Sequence, residues 1–141
     1  MIWLPANRQY SVDAFLFPSI RSQKIAAWAL WLVRFQLGIA YFYGGIAKIN
    51  SDWLQGEPMR MWLANRTDYA LIGSLIDNAA AAWVFSYGGL IFDLFIVPAL
   101  LWKRTRIPAF VIAVLFHFTN AYLFQIGIFP WFMIVATTIF F

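Results

Sequence analysis

The chain has 141 residues, of which 63% are hydrophobic and 11% charged, with a formal net charge of +4 and a mean hydropathy of +0.72. A soluble domain carries about 25% charged and about 45–50% apolar residues, so the composition excludes a soluble fold and leaves one membrane domain. The positive charge does not point to nucleic acid, because Lys and Arg gather at the ends of apolar spans; with no Cys and one His, neither a disulfide framework nor a metal centre is expected.

Residues 1–24 read as a polar arm holding Arg8, Asp13, Arg21 and Lys24, punctuated by Pro5 and Pro18, with no signal peptide. A first span follows over 25–47, broken by one full charge, Arg34. It is long enough to cross a hydrocarbon core of about 30 Å. Residues 48–79 form a mixed loop whose Pro58–Ala70 stretch predicts a short interfacial helix, with Met61, Trp62, Leu63 and Leu71 as its apolar contacts. A second span covers 80–102 and is interrupted only by Asp93. The basic knot Lys103-Arg104-Thr105-Arg106 closes it, and Pro108 favours a helix start just beyond.

From residue 107 to 141 there is no Asp, Glu, Lys or Arg. As one helix that stretch would be about 50 Å long, well beyond the bilayer core. Gln125, Gly127 and Pro130 offer a break, so a hairpin of spans 107–124 and 128–141 is expected. The last span stops without a polar flank and reads as the end of part of a larger chain. The expected class is thus an all-α integral membrane protein, a bundle of three to four transmembrane helices plus a short interfacial helix. Basic residues of short loops stay cytoplasmic, which places the arm and the 103–106 knot inside and the balanced 48–79 loop on the outer or lumenal side. Trp53, Trp62, Trp83, Tyr122 and Trp131 would then gather at the outer interface, with Trp28 and Trp102 at the inner one.

Ionisable groups inside a bilayer are costly and seldom face lipid. Counted from the cytoplasmic ends, Arg34, Asp93 and His117 all lie about 14–15 Å deep. Arg34 and Asp93 are therefore expected to neutralise each other as a structural ion pair, with His117 near enough to join. On the first span Arg34, Gly38, Tyr41, Gly45 and Lys48 share one helical stripe. Its glycines would admit a neighbouring helix or a flat ring, with Tyr41 lining a cleft and Lys48 at its outer mouth. Lys48 then reads either as part of that cleft or as a snorkelling interfacial lysine. On the third span His117 and Asn120 lie one turn apart, and interhelical hydrogen bonding alone would explain Asn120 and Gln125.

The run Tyr41-Phe42-Tyr43-Gly44-Gly45-Ile46-Ala47-Lys48-Ile49-Asn50-Ser51-Asp52-Trp53-Leu54-Gln55-Gly56 resembles the signature of the vitamin K-dependent gamma-carboxylase family, whose bacterial members are often called horizontally transferred transmembrane (HTTM) domain proteins. Ala6-Asn7-Arg8 with Ser11-Val12-Asp13 also matches, as does Phe116-His117-Phe118-Thr119-Asn120 through Leu123 to Pro130. The resemblance implies coupled chemistry: reduced vitamin K (a menaquinol-type hydroquinone in bacteria) is oxygenated with O2 to an epoxide, and the strong base so formed removes a glutamyl γ-proton before CO2 adds. It implies Lys48 as the base that deprotonates the hydroquinone, and a quinone site about Tyr41, Gly45, His117 and Asn120. Such a lysine must be neutral, against a free pKa of about 10.4, and desolvation is the physical route to that state. Animal carboxylases carry two adjacent lysines where this chain has Ala47-Lys48. They also have helices upstream and a large lumenal domain downstream, so the chain resembles the central part of the membrane domain. Its expected partners are the bilayer, a quinone, a peptide substrate and a further chain supplying the absent helices. The alternative is a non-catalytic quinone- or lipid-binding membrane protein, or a fragment acting only with a partner chain.

Overall fold

In a computed structural model, residues 9–22, 24–65, 73–76 and 78–141 are described. Among them every regular element is helical. Arg8 and the Ala6-Asn7-Arg8 match lie outside the described residues, as do Arg66 to Ile72 and Asp77. Two units are distinguished, Met1–Gln36 and Leu37–Phe141.

In the smaller unit, α1 spans Val12–Leu16. Ser11 begins it: its hydroxyl accepts a hydrogen bond of 3.1 Å from the Ala14 N–H, satisfying one of the free amides of a first turn. Pro18 then opens a single 3-10 turn, Pro18–Ile20. Helix α2, Ala27–Ala47, starts in this unit and ends in the larger one. On its first half the Arg34 guanidinium carbon lies 5.5 Å from the centre of the Trp31 ring.

The larger unit holds the rest. α3 (Ser51–Leu54) and α4 (Glu57–Ala64) follow α2 closely. Asn50 joins α2 to α3: its Nδ2 donates to the Ala47 carbonyl at 2.8 Å, and its Oδ1 accepts from the Trp53 N–H at 2.9 Å. Gly56, with φ +74°, turns the chain into α4 through a left-handed conformation that costs glycine little. After α5 (Gly73–Ile76), Asn78 starts α6 (Ala79–Leu101) by accepting from the Ala81 N–H at 2.8 Å. Thr105 and Arg106 close α6, donating to the carbonyls of Ala99 at 2.7 Å and Leu100 at 3.0 Å. So Arg106, read in sequence as one of three orienting charges, also caps a helix C-terminus, where a cation is favoured.

Helix α7 spans Arg106–Phe124 and α8 spans Phe129–Thr137, followed by a 3-10 turn, Thr138–Phe140. The break predicted at Gln125, Gly127 and Pro130 is where α7 ends. Gln125 has φ 49° and Gly127 φ 65°, and Pro130 lies in the first turn of α8. α7 packs on α6 and α8, and α4 on α6. The core joins Tyr41, Phe92, Ile96, Leu100, Ala109, Ala113, Met133 and Phe140. A second cluster, Leu63, Ile76 and Leu123, ties α4 and α5 to the end of α7.

Among the described residues two helices, α6 and α7, are long and apolar enough to cross a membrane. Only 28% and 22% of their most apolar stretches are buried, whereas the core helix of a soluble protein is mostly enclosed. Their outer faces instead expose Val84, Ile91 and Phe95 on α6, and Val111, Ile112, Leu115 and Phe118 on α7. Exposed apolar surface of that extent marks an interaction with membrane or partner. α2 is long enough as well, about 31 Å, but Arg34 and Gln36 interrupt its apolar run. The stretch expected as a span over 128–141 is a nine-residue helix plus one turn, roughly 20 Å and short of the core. The interfacial helix expected over 58–70 is α4, and its remainder lies outside the described residues.

Candidate functional site

The stripe on α2 does face another helix. A Cβ on Gly38 would touch Val97 Cγ1 at 3.4 Å, and one on Gly45 would fall 2.6 Å from Leu94 Cδ2 and 3.3 Å from the Leu94 backbone nitrogen. Contact then continues past the end of α2: Lys48 reaches Asp93, Trp53 Nε1 donates to the Ser86 carbonyl at 2.8 Å, and Tyr87 donates to the Leu54 carbonyl at 3.2 Å. Ser86, fully buried, returns a hydrogen bond to the Trp53 carbonyl. Residue numbers rise on one side as they fall on the other, so residues 38–56 run antiparallel along α6 from Val97 back to Ala82. α2 stops beside the middle of α6, and α3 and α4 cover its first turns.

That register sets what Lys48 meets. It lies beside Asp93, about 21 Å along α6 from its start. Asp93, assigned by depth to Arg34, has Lys48 as its ion-pair partner: Nζ and Oδ2 are 2.5 Å apart, with 21% and 12% of the two side chains exposed. The depth count, which set Arg34 and Asp93 level, did not foresee this partner. Lys48 also donates to the Gly44 carbonyl at 3.0 Å and sits 5.1 Å from the centre of the Trp53 ring. Gly44 makes room for the pair, since a Cβ there would lie 3.0 Å from Asp93 Oδ2. Gly45, expected on the ring site, faces Leu94 and serves close helix approach instead.

Deeper in, Tyr41 and His117 meet. Both are 3% exposed, and the Tyr41 hydroxyl lies 2.8 Å from His117 Nε2 and 3.4 Å from Thr137 Oγ1. Thr137 donates its own hydrogen to the Met133 carbonyl at 2.6 Å, so it can only accept from Tyr41. His117 Nδ1 is buried and has no hydrogen-bond partner among the described residues. Phe92 and Phe116 stack at 3.7 Å and both present edges to the His117 ring, at 5.7 and 5.5 Å.

Tyr41, Gly44, Lys48, Asp93, His117 and Asn120 line one cavity of about 280 Å³, near the lower end of small-molecule sites. Trp53, Trp62, Phe116, Phe124 and Phe129 contribute its aromatic walls. Such a space, apolar with a few convergent polar groups, suits a flat ring bearing oxygens. Asp93 as mate of Lys48, the Gly44 gap and the Thr137 contact were not foreseen from the sequence. Gly44 lies one position off the stripe that carries Gly38 and Gly45, so that spacing did not mark it. No cluster of His, Cys, Asp or Glu that could hold a metal occurs among the described residues.

Fold and site together define an all-α protein in which polar groups converge inside a unit faced with exposed apolar helices. The family model of the HTTM domain matches residues 1–141, so the chain belongs to the HTTM family, as its sequence resemblance implied. With two apolar helices, that membership marks a membrane protein. No solved structure matches the chain.

Proposed function

We propose that the chain is a gamma-carboxylase-like membrane protein that binds a hydroquinone in the cavity between α2, α6 and α7, with Lys48 as its base. The observation that carries this reading is that Tyr41 and Lys48 from the end of α2 and His117 and Asn120 from α7 line one cavity. Reduced vitamin K of the menaquinol type, when bound, would supply with O2 the strong base needed to take a glutamyl γ-proton before CO2 adds. The chain's own part is milder. The neutral amine of Lys48 takes the hydroquinone proton. Tyr41 and His117, joined by their 2.8 Å hydrogen bond, form the cavity wall against which the ring lies. The aromatic walls keep water out, which strengthens each of these contacts.

In this reading α6 and α7 cross the bilayer, α2 enters it and stops beside the middle of α6, the α8 segment dips into it, and the segment from α3 to residue 79 lies toward the outer or lumenal side. One observation favours the rival, a non-catalytic quinone- or lipid-binding protein or one acting with a further chain. Lys48 already satisfies Asp93 and the Gly44 carbonyl, as a structural lysine would. Membranes holding the full chain, given reduced menaquinone, O2 and bicarbonate, should form the quinone epoxide. Quinone bound without epoxide would leave the rival standing.

A further inference from the structure

A base must offer a lone pair, yet Lys48 Nζ faces two acceptors and an aromatic ring. It donates to Asp93 at 2.5 Å and to the Gly44 carbonyl at 3.0 Å, and it stands over the Trp53 ring. A lysine so placed could act as a base only if its proton had somewhere to go. The titratable groups lining the cavity are Tyr41 from α2, His117 from α7, and the pair itself; α3, α4 and α8 contribute Trp53, Met59, Trp62, Phe129 and Met133, none of which takes up a proton. Of these groups only Asp93 is in hydrogen-bond contact with Nζ.

We infer that Asp93 is the proton store of Lys48, taking the ammonium proton when an apolar ring fills the cavity. This rests on the quinone reading above. In the step one N–H bond of Lys48 breaks and one O–H bond forms on Asp93 Oδ2, with no change of net charge and no electron transferred. Two opposite charges become a neutral amine and a neutral acid across an existing contact. Lys48 and Asp93 line the cavity with 21% and 12% of their side chains exposed, and a flat ring seated there would cover them. Charge in a low-dielectric space is costly unless every partner is retained, so covering the pair tips it toward its neutral form. The Gly44 gap matters here, because any side chain at that position would press on the Oδ2 that receives the proton. Asp93 is thus a positioning residue, acting on the ring through Lys48.

Infrared difference spectra test this without turnover. The full chain in detergent is titrated with menadione, the oxidised ring without a tail, which has no hydroxyl proton to donate. Binding is followed separately by quenching of tryptophan fluorescence. Binding should bring up the carbonyl band of a protonated carboxylic acid, move it on carbon-13 labelling of aspartate, and shift it again in Asp93→Glu. Asp93→Asn should bind and show no band. Binding to the wild type without a carboxylic-acid band would overturn the inference while leaving the quinone reading intact. A band that persists in Asp93→Asn would overturn it as well, by assigning the proton to another carboxyl. No menadione binding would sink the quinone reading, and the inference with it.

Discussion

Lys48 Nζ meets Asp93 Oδ2 at 2.5 Å, 45 positions apart in sequence, where the end of α2 lies against the middle of α6. Removing one member leaves a largely buried charge alone. Lys48→Met should therefore destabilise by about 3–5 kcal/mol, the range for breaking a buried pair. Adding Asp93→Leu should recover much of that loss. Thermal unfolding in detergent for both singles and the double completes the cycle, and additive losses would mean the two groups do not depend on each other.

The close approach of α2 to α6 depends on Gly45. A Cβ there would overlap Leu94, at 2.6 Å from Cδ2 and 2.8 Å from Cγ, and overpacking of that kind costs about 1–3 kcal/mol. Gly88 is the control, with nothing within 4 Å of its would-be Cβ. Gly88→Ala should be neutral or stabilise by up to about 1 kcal/mol, since glycine is the poorer helix former. Equal unfolding temperatures for Gly45→Ala and Gly88→Ala would contradict the seam.

Periodicity and composition made the helices of the larger unit legible. The spans expected over 80–102 and 107–124 lie within a residue of α6 and α7, because long apolar runs bounded by Asn78, a basic knot and a Gln-x-Gly break leave few other choices. The stripe through Gly38, Tyr41 and Gly45 was legible for the same reason. Which carboxylate Lys48 meets was not. That is set by where α2 stops relative to α6, and the stop follows from Asn50 capping α3 and Gly56 turning the chain back along α6. Nothing in hydropathy encodes such a register. Nor could spacing reveal Thr137, whose contact with Tyr41 needs the α7–α8 turn at Gln125 and Gly127 to bring α8 back.

Tyr41 holds His117. Tyr41→Phe would strip the 2.8 Å hydrogen bond from Nε2 and leave both ring nitrogens of a buried histidine unpaired. The expected loss is about 1–3 kcal/mol, the desolvation cost of an unsatisfied buried group. Thr137→Val should lose less, because its contact with Tyr41 is long at 3.4 Å and its main bond stays within its own helix. A larger loss for Thr137→Val than for Tyr41→Phe in urea titrations would reverse that ranking.

The orientation proposed above is open to labelling. In right-side-out vesicles a cysteine at Asn65, exposed just beyond α4, should react with an impermeant maleimide, and one at Lys103 should react only after lysis. The reverse pattern would move the cavity's α4 side to the cytoplasm.

The sharpest separation of chemistry from packing lies at Lys48. A purely structural lysine here offers a positive charge to Asp93, a donor to the Gly44 carbonyl and a cation near Trp53. Arginine offers all three, with more donors. It cannot offer a neutral amine, because its guanidinium stays protonated at any pH a protein survives. Lys48→Arg should thus keep expression and unfolding temperature close to wild type while epoxide formation falls to background. Asn120→Ala gives the contrast: it removes a polar group from the cavity wall without touching the pair, so it should weaken quinone affinity and leave the rate at saturation within about tenfold. Where wild-type membranes form epoxide, retention of most of that rate in Lys48→Arg would remove the base assignment. Lys48 would then be the cationic half of a helix-locking pair, and the cavity a binding site without proton chemistry at that position.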